Sequence, residues 1–171
     1  MAALALGYVL LLTYLHYQAD TDDSNDPDIQ RLFGGDLGAS TLKYVARVEA
    51  YLIDKPVETK DSDTGLQKYP IRKGPVSVPH SDVRVLKHGL LDRKSYLWNM
   101  ETACKPAYGV RLDFIRRDDQ VSVFLCFECD ILMTYLNGKF VAVKDFNARS
   151  TAGPIVRSLF PDDPKIQSLL Q

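Results

Sequence analysis

The sequence predicts an α+β fold, an antiparallel β-meander of about four or five strands packed with two or three short helices. The clearest observation is a series of four strand-like runs in the second half of the chain, separated by short turns. Runs with helical spacing precede and follow this series, and the N-terminus is almost entirely apolar. We therefore expect an N-terminal transmembrane anchor at 1–19, a polar linker at 20–41 and a soluble α+β domain at 42–171.

The composition is that of a folded globular protein of ordinary domain size. The chain has 171 residues, of which 46% are hydrophobic and 25% are charged, close to the averages for soluble domains. Its 21 lysines and arginines are balanced by 22 aspartates and glutamates. Because nucleic-acid binding depends on clustered cations that neutralise phosphates, nucleic acid is not an expected partner.

The N-terminal segment has the composition of a lipid-facing helix. Residues 2–17 contain no charged side chain, and a helix of that length covers ~24 Å of the ~30 Å hydrocarbon core. Tyr14, His16 and Tyr17 are suited to the polar interface that such a short helix must reach. The residues expected to face lipid are Leu4, Leu6, Val9, Leu10, Leu11, Leu12 and Leu15.

Two other interpretations of this segment stay open, a cleaved signal peptide and an amphipathic or buried helix. No lysine or arginine lies near Met1, and Tyr17 lies two residues before Ala19, where a cleavage site needs a small residue. The first cation after the segment is Arg31, so the positive-inside rule specifies the orientation weakly. We expect a single-pass membrane protein whose soluble domain lies on the exported, periplasmic side.

The first elements of the chain are expected around the end of the linker. Asp26 can cap one short helix that starts at Pro27 and stops at Gly34. Residues 42–53 alternate between apolar and charged side chains, which predicts a half-buried strand, with a helix as the main rival.

A long irregular crossing is expected to follow the first strand. Residues 55–80 contain four prolines, which favours irregular chain with short extended pieces at 68–73 and 75–78. Apolar residues at helical spacing then predict a helix at 82–91.

Four strands and two helices complete the predicted domain. Asn137-Gly138 is the strongest hairpin signal, because both central residues of a type I′ turn have positive φ. The four runs are 108–116, 120–128, 130–136 and 139–146. A helix is expected at 152–160, and Pro164 can start a second, shorter helix. The helices at 82–91 and 152–160 are expected to cover the sheet.

Three cysteines lie close together in the predicted meander. Cys126 and Cys129 form a CxxC pair, and Cys104 precedes the first of the four runs. Pairing of the first two runs across the turn near Asp118 brings Cys104 near Cys129. A disulfide from Cys104 to Cys126 or Cys129, buried reduced thiols, a metal site and a redox-active pair all remain open.

A reactive thiolate is less favoured by the local sequence. Redox CxxC motifs lie at a helix N-terminus, whereas this one lies in a β run beside Glu128 and Asp130, whose charges raise a thiol pKa. A zinc site needs four ligands, so His80 or His88 would have to join the three cysteines. We therefore predict no metal and no other cofactor.

No catalytic set emerges from the remaining polar residues. The three histidines, including His16 in the apolar segment, are scattered, and no glycine-rich phosphate loop is present. Asp113, Glu128 and Asp130 could form paired carboxylates, but strand alternation more simply places them on a solvated face. Catalysis is therefore not expected.

Three short motifs form a group in the second half of the chain. They are a Cys-x-Pro before a strand, a Cys-Phe-x-Cys at the end of the next and a terminal Phe-Pro-x-Asp, within CKPAYGVRLDFIRRDDQVSVFLCFECDILMTYLNGK, DFN and LFPDDPKIQSL. With these motifs, residues 81–170 resemble a family of uncharacterised exported or membrane-anchored proteins of planctomycete-like and myxobacterial bacteria. The resemblance implies a bacterial origin and an exported domain, and no particular activity. The N-terminal segment lacks the lipobox cysteine of a lipoprotein.

These observations predict a non-catalytic, membrane-anchored accessory or structural subunit that docks on a larger membrane protein complex. Its expected partners are other subunits of that complex and the lipid bilayer, because packing against other helices relieves the mismatch of a short anchor. The alternative is an exported thiol-redox or metal-binding protein that uses Cys104, Cys126 and Cys129.

Overall fold

The centre of the protein is an antiparallel sheet. The computed structural model describes residues 23–56, 66–99 and 103–169. Within these residues there are six strands, β1 (Arg47–Ile53), β2 (Ile71–Ser77), β3 (Val110–Arg116), β4 (Asp119–Cys126), β5 (Ile131–Leu136) and β6 (Lys139–Asp145). Their order across the sheet is β2-β1-β3-β4-β5-β6, and each neighbouring pair is antiparallel. The predicted α+β class and the antiparallel meander are confirmed.

The predicted number of four or five strands is wrong, because the described part of the chain contains six. The additional strand is β2, which falls in the proline-containing crossing where only short extended pieces were expected. Pro75 cannot donate a ladder hydrogen bond, but β2 lies at the edge of the sheet, where proline is tolerated. Strand β2 also explains why β1 is not at an edge: it lies between β2 and β3.

Five helices of the described residues pack on one face of the sheet, which we call the inner face. They are α1 (Pro27–Phe33), α2 (Asp36–Lys43), α3 (His80–Leu91), α4 (Ala148–Leu159) and α5 (Pro164–Leu169). The main core joins their apolar stripes to alternate strand residues, as in the contact of Phe33 and Leu86 with the cluster around Phe114 and Val123. The helix predicted at 82–91 is present as α3, and Pro164 starts α5 as expected.

The segment expected to be a polar linker contributes to the core. Asp26 caps α1 by accepting the N–H groups of Asp28 and Ile29, and Gly34 ends it with φ 90°. Ile29 and Phe33 have no solvent exposure, so α1 belongs to the folded domain. Helix α2 then occupies the first part of the strand predicted at 42–53, and β1 begins only at Arg47. The apolar residues of this region were too few and too widely spaced to distinguish a packed helix from a linker.

In the second half of the chain, the strands and turns lie close to where the local sequence predicts them. Val110 lies opposite Leu125 and Arg116 opposite Asp119, in the register expected for this hairpin. Asn137 and Gly138 both have positive φ, as a type I′ turn requires. The helix predicted at 152–160 begins earlier, at Ala148, because Ala148 and Ala152 pack into the core ahead of Ile155.

None of the helices in the described residues is long and apolar enough to cross a membrane. The predicted anchor at 1–19, with its row of leucines from Leu4 to Leu15, lies outside the described residues.

Candidate functional site

The face of the sheet opposite the helices, which we call the outer face, carries a polar cluster on its central strands. Arg111 and Asp113 are two residues apart on β3, and Glu49 and Tyr51 are two apart on β1, so all four point to the outer face. Arg111 Nη2 donates to Asp113 Oδ2 at 2.9 Å. The Arg111 guanidinium carbon lies 4.3 Å from the Tyr51 ring centroid, and the Tyr51 hydroxyl donates to Glu49 Oε2 at 2.7 Å.

The pair formed by Arg111 and Asp113 is unusually buried for two charges. Their side chains are 12% and 4% exposed. Arg111 Nε and Asp113 Oδ1 have no hydrogen-bond partner in the described part of the chain. Unpaired buried polar atoms are costly, so such a pair is more typical of a functional surface than of a structural core.

Burial and hydrogen bonding shift the pKa values of this cluster in opposite directions. Burial raises the pKa of Asp113, although Arg111 and a hydrogen bond with Ser122 counteract it. Burial and the hydrogen bond to Glu49 raise the pKa of Tyr51 to about 12. The same hydrogen bond lowers the pKa of Glu49. At neutral pH the cluster therefore holds an ionised glutamate and a protonated tyrosine.

A row of aromatic rings continues from this cluster toward the β6 edge. Phe124 on β4 is its centre, with ring centroids 4.8 Å from Tyr69 and 5.3 Å from Tyr135. The Tyr135 ring centroid lies 5.8 Å from that of Phe140 on β6. We call Tyr69, Phe124, Tyr135 and Phe140 the aromatic row. Burial raises the pKa of both tyrosines, so their hydroxyls stay protonated at neutral pH.

The aromatic row ends in exposed apolar side chains. Phe140 is 54% exposed and Val143 is 47% exposed. Both point to the outer face of β6, Phe140 opposite Tyr135 and Val143 opposite Met133. β6 is the last strand of the sheet and has β5 as its neighbour. An apolar surface at a sheet edge is a typical site of contact with another chain.

The three cysteines meet at one end of the outer face. Cys104 and Cys129 form a disulfide with a Cα–Cα distance of 6.0 Å, and Cys126 is a buried free cysteine. The Ala107 N–H donates to Cys126 Sγ at 3.3 Å. The CxxC pair is therefore divided, one member in the disulfide and the other in the apolar cluster with Ile131 and Met133.

The other predicted candidates do not join this site. Asp113 is only 2% exposed, so its expected place on a solvated face is wrong: the aromatic and charged neighbours on adjacent strands cover it. Glu128 and Asp130 lie beyond the end of β4, and Asp130 Oδ1 accepts the Arg149 N–H at 3.0 Å. His80 and His88 lie at exposed positions of α3, and His16 lies outside the described residues.

The described parts of the chain contain one small pocket and no cluster of metal ligands. In residues 23–56, 66–99 and 103–169, no group of three or more His, Cys, Asp or Glu could hold a metal ion. A shallow pocket of about 30 Å³ lies between Asp54, Arg72 and Glu128, which is the size of one water molecule. The exposed apolar side chains at the β6 edge are suited to a flat contact with a macromolecule.

Sequence reasoning missed most residues of the outer face. Tyr51, Tyr69 and Arg111 were passed over because a half-buried sheet was assumed. One signal was present: the run from Val121 to Phe127 is apolar at nearly every position, as in strands covered on both faces. All residues from Val121 to Phe127 are buried.

The fold and the site define an open-faced α+β domain with helices on one side of its sheet and an aromatic, charge-bearing surface on the other. Comparison of the chain with known protein families, with curated proteins and with solved structures finds no match. The predicted resemblance to exported bacterial proteins stays a prediction.

Proposed function

We propose that this chain is a non-catalytic, membrane-anchored accessory subunit whose outer sheet face docks on another protein subunit of a larger membrane complex. The observation that carries the proposal is the pair of exposed side chains Phe140 and Val143, which lie at the β6 edge where the aromatic row meets solvent. The anchor at 1–19, the exported location of the domain and its bacterial origin are parts of the same proposal.

A protein partner fits this edge for energetic reasons. Completing the burial of two half-exposed apolar side chains contributes about 1 kcal/mol each, and a strand added along β6 would pair its outward backbone groups. A partner segment with alternating apolar residues would complement the exposed Phe140 and Val143.

The alternative, thiol-redox activity or metal binding at the cysteines, has one observation in its favour. Cys126 lies within the same corner as the Cys104–Cys129 disulfide, and an N–H group points at its sulfur. A thiolate at Cys126 could displace Cys104 from Cys129, which would form a Cys126–Cys129 disulfide and release the Cys104 thiolate. Cys126 has 0% exposure, so an outside thiol could reach only the exposed side of the disulfide.

Photocrosslinking in the native membrane tests the docking proposal. A benzophenone side chain at Phe140 is expected to crosslink to one co-purifying membrane subunit after extraction in mild detergent. The matched control carries the probe at Ile71 on the opposite edge strand, which is 50% exposed, and is expected to give no such product.

Disruption of the same edge completes the test. Val143→Glu is expected to abolish co-purification of the partner, whereas Ile71→Glu should leave it intact, because charge at an apolar contact is not tolerated. Recovery of a lone monomer under all gentle conditions, with Phe140 uncrosslinked, would contradict the proposal. The thiol alternative would instead be supported if the protein contains reduced or mixed thiol states that change when the partner is present. These states should then be lost in Cys126→Ala.

A further inference from the structure

An exposed apolar and cationic patch lies on α2. Leu37 and Tyr44 are seven residues apart along α2 and its C-terminal cap, so they lie on one side of it. Leu37 is 44% exposed and Tyr44 is 58% exposed. Arg116, at the end of β3, reaches between them to Ser40. We call Leu37, Ser40, Tyr44 and Arg116 the α2 patch.

Cations surround the tyrosine of this patch. The Arg116 guanidinium carbon lies 5.0 Å from the Tyr44 ring centroid, and Arg116 Nη1 donates to Ser40 Oγ at 3.2 Å. Lys43 Nζ lies 5.7 Å from the same ring centroid. An exposed tyrosine flanked by cations and a leucine is the combination that lies at the headgroup level of membranes, where a ring has one apolar and one wet side.

The first described residues attach beside the α2 patch. Ser24 Oγ accepts a hydrogen bond from Lys43 Nζ at 3.1 Å, and the Asp23 N–H donates to the Leu91 carbonyl at 3.1 Å. Residues 18–22 alone separate Asp23 from Tyr17, the last residue of the apolar segment. Even fully extended, a tether of that length spans at most ~20 Å. An anchor in the membrane therefore keeps this side of the domain close to the lipid surface.

We propose that the α2 patch docks the soluble domain on the anionic headgroup surface of the membrane that holds the anchor. This inference rests on the proposed function, since only an anchored chain brings the patch to lipid. Tyr44 and Leu37 enter the headgroup layer, and Arg116 with Lys43 faces the lipid phosphates. The docked patch sets the orientation of the domain on the membrane.

The cations of the patch outnumber the acids around it, since Lys43, Arg116 and Arg117 lie near the exposed Asp36 and Asp118. Arg117, next to Arg116, is exposed and adds a further cation on the same turn. The aspartates closest to the attachment point are turned toward another side chain: Asp26 and Asp28 both pair with Arg93 Nη1. Asp23 Oδ2 accepts the Arg93 N–H at 2.9 Å.

Site-specific labelling of the full chain in vesicles tests the inference. Leu37→Cys is labelled with an environment-sensitive fluorophore without reductant, so that only the new exposed thiol reacts, and the protein is reconstituted in vesicles with and without phosphatidylglycerol. With the anionic lipid, the label is expected to shift to shorter wavelength and to be quenched by lipids brominated near the headgroup. The control is Ile71→Cys, which replaces a side chain of similar exposure on the edge strand β2, opposite Ile53. Its label should show neither the shift nor the quenching.

Removal of a cation checks that charge drives the contact. Arg116→Gln is expected to lower the ratio of docked to undocked domain about fivefold, because each basic residue near an anionic surface contributes a binding increment of that size. Lys165→Gln on α5 removes an exposed cation from the other end of the molecule and should leave the ratio unchanged.

The outcomes separate this inference from the proposed function. If the protein floats with the vesicles after carbonate extraction but the Leu37 label stays unquenched, the anchor holds and the docking of the patch is wrong. If the protein does not float, the anchor itself fails, and with it the basis of the inference. Quenching of the label by a co-purified subunit, and not by lipid, would also overturn it.

Discussion

At the scale of single residues, the buried pair of Arg111 and Asp113 is the least ordinary feature of the molecule. Two charges in the middle of a sheet are stable only when they stay together, since each would otherwise be a buried, uncompensated ion. Tyr51 adds a cation–π contact, with its ring centroid 4.3 Å from the guanidinium carbon of Arg111. The pair therefore behaves as one unit, and its two residues should not tolerate separate replacement.

A double-mutant cycle measures this coupling. Arg111→Met and Asp113→Leu are each expected to lower the free energy of unfolding by about 3 kcal/mol, because each leaves the other charge buried alone. The double variant should lie within about 1 kcal/mol of the parent. Urea unfolding of the full chain in mild detergent measures how the free energy of unfolding of each of the three variants differs from that of the parent. Strictly additive losses in the double variant would show that the two side chains act independently.

At the scale of elements, the C-terminal helix α5 is tied to the edge strand β2. Asp163 is 5% exposed and caps α5 through the Ile166 N–H, which donates to Asp163 Oδ1 at 2.9 Å. Its other oxygen accepts from Arg72 Nη1 on β2. This hydrogen bond from Arg72 is the main reason that the pKa of Asp163 lies below its ordinary value of 3.8. One carboxylate therefore joins a helix terminus to a strand that has a single strand neighbour.

The pKa of Asp163 predicts a dependence of stability on pH. Since the folded pKa is below the unfolded one, the stabilisation is complete above about pH 4 and is lost as the pH falls through the folded value. Asp163→Asn keeps an acceptor for the cap but removes the charge, so its urea midpoint should fall less steeply below pH 4 than that of the parent. Asp162→Asn, at the exposed neighbouring position, is the control and should retain the steep fall. Equal slopes in all three proteins would refute the assignment.

The crossing of α3 and α4 depends on the absence of a side chain at Gly89. A Cβ at this position would overlap Thr151 Cγ2, while the Thr151 Cβ and Oγ1 would remain at 3.4 and 3.6 Å. In a solvent-exposed helix, Gly→Ala stabilises by up to ~1 kcal/mol. Here the close approach of two helices is expected to reverse that sign.

Two substitutions separate the effect of helix propensity at residue 89 from the effect of its packing against Thr151. Gly89→Ala alone is expected to lower the free energy of unfolding by about 1–3 kcal/mol because of overpacking. Thr151→Ser removes the overlapping methyl group, and in that background Gly89→Ala should be neutral or stabilising. Chemical unfolding of the four proteins tests this. A loss of the same size in both backgrounds would mean that the Thr151 methyl group is not the obstacle.

At the scale of the whole molecule, the sheet separates two kinds of surface. The inner face holds the helices and the main core, and the outer face holds the charged cluster, the aromatic row and the cysteines. The disulfide between Cys104 and Cys129 closes the base of the β3–β4 hairpin, with a sequence separation of 25. It therefore restrains the chain on both sides of the strands that carry Arg111, Asp113 and Phe124.

Removal of the disulfide should cost global stability. Chain-entropy arguments for a loop of this length give about 3.5 kcal/mol, so Cys104→Ser with Cys129→Ser should lose close to that amount. The control is Cys126→Ala, which removes a buried thiol and should cost about 1 kcal/mol. Alkylation without reductant should modify no cysteine in the native protein and one after unfolding. Three labelled cysteines in the native, unreduced protein would exclude the disulfide.

Local features of the sequence were sufficient for much of the architecture. The Asn137-Gly138 turn, the cap at Asp26 and the start of α5 at Pro164 are present as predicted, because each depends on a few neighbouring residues. The β3–β4 register followed from the turn between them. The edge strand β2 was predicted only as short extended pieces at 68–73 and 75–78, since its proline and glycine are tolerated only because of its place in the sheet.

The antiparallel meander of β3 to β6 could be predicted from the sequence, because hairpins pair segments that are adjacent in the chain. The position of β1 beside β3 could not be predicted in the same way, because the two strands are far apart in the chain. That non-local pairing sets Tyr51 opposite Arg111 and Glu49 opposite Asp113, and so turns side chains expected in solvent into a buried cluster. The burial of a residue depends on which other parts of the chain pack against it. The alternation of apolar and polar residues along one strand does not show that packing.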